Sequence, residues 1–210
     1  MNVESQVVER AGNRMAARLA RWVSIFFDSS VLSVLIFPLV GWRAGGAQGV
    51  LWALLALLIL TGFPLVYIWV GIRRGWVGDW ELSRRSDRPR FILVSLSSDL
   101  FALLVLGVGG APRLVWLLAL IYACLGITMF TISNFWKISL HMVGVSGFAM
   151  LLTYVFGPAA AWTFLSLPLV AWARLYRRKH TPAQLVAGAV GGALITLGVL
   201  YLADQVFRLL

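Results

Sequence analysis

The chain has 210 residues, 60% of them hydrophobic and only 12% charged, with 18 Lys+Arg against 8 Asp+Glu and a formal net charge of +10. A soluble domain of this length does not hide so much apolar surface, so composition excludes that class and points to a polytopic membrane protein. The single cysteine, Cys124, excludes an intrachain disulfide, a cysteine metal cluster and a redox pair, and arginines scattered among apolar runs argue against nucleic acid as a partner.

Residues 1–21 are polar and mixed in charge, without the pattern of a cleavable signal peptide. Arg10, Arg14, Arg18 and Arg21 recur at helical spacing, with Val8, Met15, Leu19 and Trp22 on a different face. That pattern predicts a basic amphipathic lead-in helix at the membrane interface. Residues 22–210 then form one transmembrane domain. Its apolar runs fall at 22–42, 49–72, 91–109, 112–133, 138–156, 159–175 and 183–203. Because about 20 such residues cross the hydrocarbon, they predict an all-α, polytopic transmembrane helix bundle of six to seven spans. The first run carries Asp28 and the sixth is short, which leaves the count open by one. Turns are predicted at Ala44-Gly45-Gly46-Ala47-Gln48, Gly109-Gly110-Ala111-Pro112 and Gly157-Pro158.

Span parity groups the charges. Arg73, Arg74, Arg84, Arg85, Arg88 and Arg90 lie in segment 73–90, Lys137 and His141 come two spans later, and Arg174 and His180 two spans after that. Each pair of spans is a hairpin, so all three basic clusters return to one face, which the N-terminal arginines share. Arg43, Arg113 and Arg208 remain for the other face. The positive-inside rule makes the clustered face cytoplasmic, and an odd span count then puts Leu210 outside. Trp22, Trp69, Trp76, Trp80, Trp136 and Trp172 mark one interface, and Trp42, Trp52, Trp116 and Trp162 the other. Gly188 and Gly192 give the last span a close-packing face, expected to meet another helix of the same bundle.

The chain's only two histidines, His141 and His180, each sit in a basic cluster at a span end. The third cluster reads Ala173-Arg174, then His180 after five residues and Gln184 after three more. The second reads Ile138-Ser139-Leu140-His141, and Arg88-Pro89 follows Ser83-Arg84-Arg85-Ser86-Asp87. Over about residues 84–200 this set resembles the type 2 phosphatidic acid phosphatase superfamily, which includes vanadium haloperoxidases. Its three motifs are Lys-x6-Arg-Pro, Pro-Ser-Gly-His and Ser-Arg-x5-His-x3-Asp. The stretch from Asn134 to Met142 looks like a divergent bacterial branch. The departures are specific: Glu81 stands where the first motif has lysine, Ile138 and Leu140 replace proline and glycine, and Gln184 replaces aspartate. A hydrophobic hairpin also separates the first and second motifs, where many relatives carry both in one loop.

The resemblance implies a metal-independent, cofactor-free hydrolase acting on a lipid phosphate: phosphatidate, phosphatidylglycerol phosphate or a polyprenyl diphosphate. His180 would be the nucleophile that forms phosphohistidine, and His141 the proton donor to the leaving oxygen. Arg88 and Arg174, with Lys137 and Arg84 behind them, would hold the phosphoryl oxygens, and Ser139 would donate a hydrogen bond. Gln184 would orient the His180 ring without supplying charge, with Asp87 or Asp99 as substitutes for the missing carboxylate. Two rivals stand beside this expectation. One is a catalytically silent lipid-binding relative, favoured by Gln184. The other is a small transporter, which would use the mid-span acids Asp99 and Asp28. Membrane lipids are partners under every reading, and the bacterial plasma membrane is the expected location.

Overall fold

The computed structural model describes residues 3–207, with side chains from Arg14 to Val206 apart from Arg85. The side chains of Val8, Arg10 and Arg208, together with Arg85 and Leu210, lie outside the described residues. The described chain is all-helical and contains no strand.

Helix α1 (Val3–Phe26) runs across the predicted boundary at residues 21 and 22 and stops at Asp28. Asp28 is extended, and its carboxylate accepts the Ser30 N–H at 3.0 Å, which caps the next helix. The first apolar run is therefore two helices rather than one span from residue 22. Ala20 and Val23 are buried where α1 packs along α7.

Helix α2 (Ser29–Leu57) turns back on itself at Gly45 and Gly46, the second with φ of 58°. A Cβ on Gly41 would sit 2.6 Å from the Ala53 Cβ, so the arms on either side of the turn touch along small residues. The glycine pair forms the turn the sequence predicts, and Gly46 adopts a backbone conformation that costs other residues energy. A π-helical turn (Leu58–Gly62) joins α2 to α3 (Phe63–Arg73). It precedes Pro64, which has no N–H to give, and the Ile59 carbonyl accepts the Ser98 hydroxyl of α4 (Arg88–Val108).

Helix α4 pairs with α5 (Arg113–Phe135) through the Gly109–Pro112 turn, which lies beside the Gly45 turn: Gly45 is close to Pro112 and Gly109 to Trp52. Helix α6 (Leu140–Phe156) ends at Gly157, whose φ is 84°. A 3-10 helix (Pro158–Leu165) then leads into α7 (Ser166–Tyr176), and α8 (Pro182–Phe207) closes the bundle against α6. Gly188 and Gly192 lie on that contact, against Ser139, Met142 and Val143, so the small-residue face is used inside the bundle. Phe37, Tyr122 and Phe148 stack edge-on or tilted at its centre.

Among the described residues, four helical stretches are long and apolar enough to cross a membrane: Ser29–Arg73, Arg88–Val108, Arg113–Phe135 and Pro182–Val206. The first of them contains the Gly45–Gly46 turn. Leu140–Phe156 is shorter, because Gly157 ends it, and the expected span 159–175 is a 3-10 segment followed by an eleven-residue α-helix. Large apolar side chains such as Leu51, Leu104, Leu194 and Leu202 stand on the outside, as hydrocarbon solvation allows.

Candidate functional site

The three basic clusters meet at one end of the bundle. Arg88 opens α4 and is buried. Its Nε–H donates to the Leu82 carbonyl at 3.0 Å and an Nη1–H to the Ile138 carbonyl at 2.8 Å. It clamps segment 74–87 to the linker before α6. The Ser139 N–H donates to the Gln184 carbonyl at 3.3 Å, which ties that linker to the start of α8. Ser139 is fully buried and caps α6, its Oγ accepting from the Met142 N–H at 3.4 Å.

Segment 74–87 is held in shape by its own acids. Asp79 accepts the Glu81 and Ser83 N–H groups, and Asp87 accepts the Gly78 N–H at 2.9 Å and the Ser86 hydroxyl at 3.3 Å. This leaves Glu81 facing the cations. Arg174 Nη1 donates to its Oε2 at 3.0 Å, Arg177 Nη2 pairs with Oε1 at 2.6 Å, and the Lys179 ammonium lies 4.0 Å away while donating to the Ser83 hydroxyl at 2.7 Å. Burial raises the Glu81 carboxyl, but the Arg177 hydrogen bond and the charges of Arg174 and Arg177 outweigh it and bring it down to about 2.

His180 follows a tight helix end. The Lys179 N–H reaches back to the Arg174 carbonyl and the Arg178 N–H to the Leu175 carbonyl, with Arg178 at φ of 50°. This is a Schellman arrangement whose left-handed position is filled by arginine instead of glycine. The His180 ring is 8% exposed, and neither ring nitrogen has a hydrogen-bond partner. Burial, then the positive charges of Arg174, Arg88 and Lys137, hold it down at about 3, so it is a neutral ring at pH 7. Burial and the neighbouring Arg88, Lys179 and Arg174 also lower the Lys137 ammonium from its ordinary range.

Gln184 does not orient His180. Its Oε1 accepts the Thr181 N–H at 3.1 Å, and its own N–H donates to the Thr181 hydroxyl at 3.4 Å. This is a reciprocal capping box on α8, with Pro182 at the first helical position. Neither proposed substitute carboxylate reaches His180 either. Asp87 is engaged in its loop, and Asp99 is buried inside the bundle beside Gly126, with its Oδ1 unpartnered. Arg84 is exposed over Gly78, outside the buried cluster.

Two acids that the motif comparison did not select do meet the site. Glu81 neutralises part of the arginine cluster, and Asp28 stands beside the other histidine. His141 is 7% exposed; its Nε2 is 3.0 Å from the Ser24 carbonyl and 3.5 Å from Asp28 Oδ2. Asp28 is thus not a mid-span group: it sits at the break between α1 and α2, at the basic end.

A cavity of about 1080 Å³ opens here. Its polar end is lined by Arg21, Asp28, Glu81, His141, Arg177 and Lys179, and its apolar end by Val31, Val34, Leu35, Leu65 and Phe91. His180, Arg88 and Arg174 are not among its lining residues. A smaller cavity of about 170 Å³ adjoins it and shares Ser29, Leu65, Phe91 and Leu140 with it. Chemically, the arrangement offers a crowd of cations, two histidines and buried donors without acceptors, at the head of an apolar groove. No family model, no curated protein and no solved structure matches the chain.

Proposed function

We propose that this protein is an integral membrane lipid-phosphate phosphatase of the type 2 phosphatidic acid phosphatase kind, working through histidine without a metal. The observation that carries this reading is a set of buried polar nitrogens with no partner, guanidinium donors and the donor and bare nitrogen of a neutral imidazole among them. Arg174 Nε, Arg177 Nη1 and both nitrogens of His180 lack partners, among cations that Glu81 only partly balances. Leaving such groups unpaired costs about 1–3 kcal/mol each, and more for charged groups. An oxyanion would satisfy several at once, and phosphate suits guanidinium forks. The apolar end of the cavity suits an acyl or prenyl chain.

In this reading the lone pair of neutral His180 attacks phosphorus and the bond to the lipid oxygen breaks. His141 gives that oxygen its proton, releasing the lipid alcohol from a monoester or the lipid monophosphate from a diphosphate. Water then attacks the phosphohistidine, His141 takes back a proton, the P–N bond breaks and inorganic phosphate leaves. Arg174 and Arg177 offset charge on the phosphoryl oxygens. Phosphatidate, phosphatidylglycerol phosphate and polyprenyl diphosphates are the substrate candidates. Counting the two arms of α2–α3 and the helices α4, α5, α6 and α8 gives six passes, and the 3-10–α7 segment makes a seventh. The basic end then faces the cytoplasm of a bacterial plasma membrane.

A second reading, a silent lipid-binding relative, is favoured by one observation: the Gln184 carbonyl is engaged by Thr181, so no side chain orients the nucleophile. Phosphate release by the purified protein from a panel of lipid phosphates in nanodiscs decides between them. Release that vanishes in His180→Ala supports the phosphatase. Lipid binding without release, unchanged in His180→Ala, supports the binding protein.

A further inference from the structure

The two histidines differ in one respect that the motifs do not record: only His141 has a carboxylate beside it. The Ser24 carbonyl can only accept, so His141 Nε2 carries the proton of the bond between them at 3.0 Å. In the neutral ring Nδ1 is then the bare nitrogen. The residue lines the large cavity. Asp28 is fixed independently of the histidine. Its Oδ1 accepts the Ser30 N–H at 3.0 Å as the cap of α2, which turns Oδ2 toward Nε2 at 3.5 Å. One carboxylate thus both starts a helix and presents charge to the imidazole. His180, in contrast, has cations around it and no acid.

Resting on the phosphatase reading, we infer that Asp28 is the positioning residue of the reaction. It holds His141 in the Nε2–H tautomer and stabilises its imidazolium, so that Nδ1 delivers the proton to the leaving oxygen and recovers it from water. The negative charge that the superfamily keeps four residues after its nucleophile is supplied here from the break between α1 and α2, and to the other histidine. The Arg174 charge reaches both histidines, but only His141 has a carboxylate beside it to offset that charge, which divides the pair into an acid–base residue and an uncharged nucleophile. The other charged groups around His141 are Arg174 from α7, Glu81 from segment 74–87, and Arg21 and Arg177 on the cavity wall. Glu81 already pairs with both Arg174 and Arg177, which leaves Asp28 as the acid nearest the ring.

The test uses the fact that the chain holds only two histidines. Protein labelled with nitrogen-15 histidine in detergent gives two ring systems, assigned with a His180→Gln variant. Asp28→Asn is the probing substitution, because asparagine caps a helix about as well as aspartate and the fold is retained. His141 is expected as the Nε2–H tautomer, with its proton affinity falling at least about tenfold in Asp28→Asn while the His180 signals stay in place. An Nδ1–H tautomer, or a His141 titration unmoved by the substitution, overturns the inference whether or not the protein turns over lipid. Where wild type releases phosphate, Asp28→Asn should lower kcat by at least about tenfold with little change in KM, and should move the acidic limb of the pH profile. Turnover with an unchanged profile overturns the inference and leaves the phosphatase reading standing. Absence of turnover by wild type on every lipid phosphate overturns the phosphatase reading and, with it, the catalytic role of Asp28.

Discussion

Replacing Glu81 by glutamine removes one negative charge from beneath three cations, and the cost can be worked from two sides. Breaking a buried ion pair by deleting one partner costs about 3–5 kcal/mol. Arg174 is 2% exposed but Glu81 is 25% exposed, so the cost belongs below that range. The carboxyl is brought from 4.5 to about 2; at about 1.36 kcal/mol per pH unit that is about 3 kcal/mol, reduced to about 2 for solvent screening. Both routes give about 2 kcal/mol lost in Glu81→Gln at pH 7, or about 4–8 °C in Tm for a chain of this size. The sign follows from a depressed carboxyl: its stabilisation is full above 4.5 and fades as pH falls toward 2, so wild type and variant converge in acid. Thermal unfolding in detergent at pH 7 and pH 3 measures the gap. Inorganic phosphate added at pH 7 should stabilise the variant more than wild type, because Arg174 and Arg177 are released for an oxyanion. A variant within about 0.5 kcal/mol of wild type at pH 7, or equal phosphate effects on the two, would refute the reasoning.

Other substitutions test other parts of the frame. Gly192→Ala puts a Cβ against the Val143 carbonyl and the Ser146 hydroxyl; α6 and α8 must part, and a loss of about 1–3 kcal/mol is expected in detergent unfolding. Arg178→Gly relieves the left-handed position at the end of α7 and should raise stability by about 1 kcal/mol, with the His180 ring signals unmoved. Gln184→Ala removes half of the capping box on α8 and should cost about 1 kcal/mol. The same variant should leave the His180 ring spectrum in place, whereas a role in orienting the ring would shift it.

Turns, and the gathering of the basic clusters at one end of the bundle, were readable from the sequence. Gly45–Gly46, Gly109–Pro112 and Gly157 end helices because their backbones suit it, and that preference is written in a few adjacent residues. Parity then carried Arg88, Lys137, Arg174 and both histidines to one end. The partners of those charges were not readable. Glu81 lies 93 residues from Arg174, and Ser24 lies 117 residues from His141; only closure of the bundle brings them together. The hydropathy pattern also hid a local signal. Residues 22–42 read as one span because Val23, Ile25, Phe26 and Phe27 surround Asp28, yet Asp28-Ser29-Ser30 is a helix-start pattern. Thr181-Pro182-Ala183-Gln184 is likewise a capping sequence, overshadowed by its overlap with a catalytic motif. Asp99 was weighed as a substitute for a missing charge. In the structure it has no ion-pair partner among the described residues, and its Oδ1 is buried without a hydrogen-bond partner.

The apolar wall of the large cavity includes Val31, Val34 and Leu35, which are also exposed on the outside of the bundle. Under the proposed lipid-phosphatase reading, such a wall is a doorway onto the leaflet, not onto water. An amphiphile arriving there diffuses in two dimensions and leaves its chains in hydrocarbon throughout. Occupancy then depends on the amphiphile's mole fraction in the bilayer, and diluting the vesicles at fixed lipid composition leaves it unchanged.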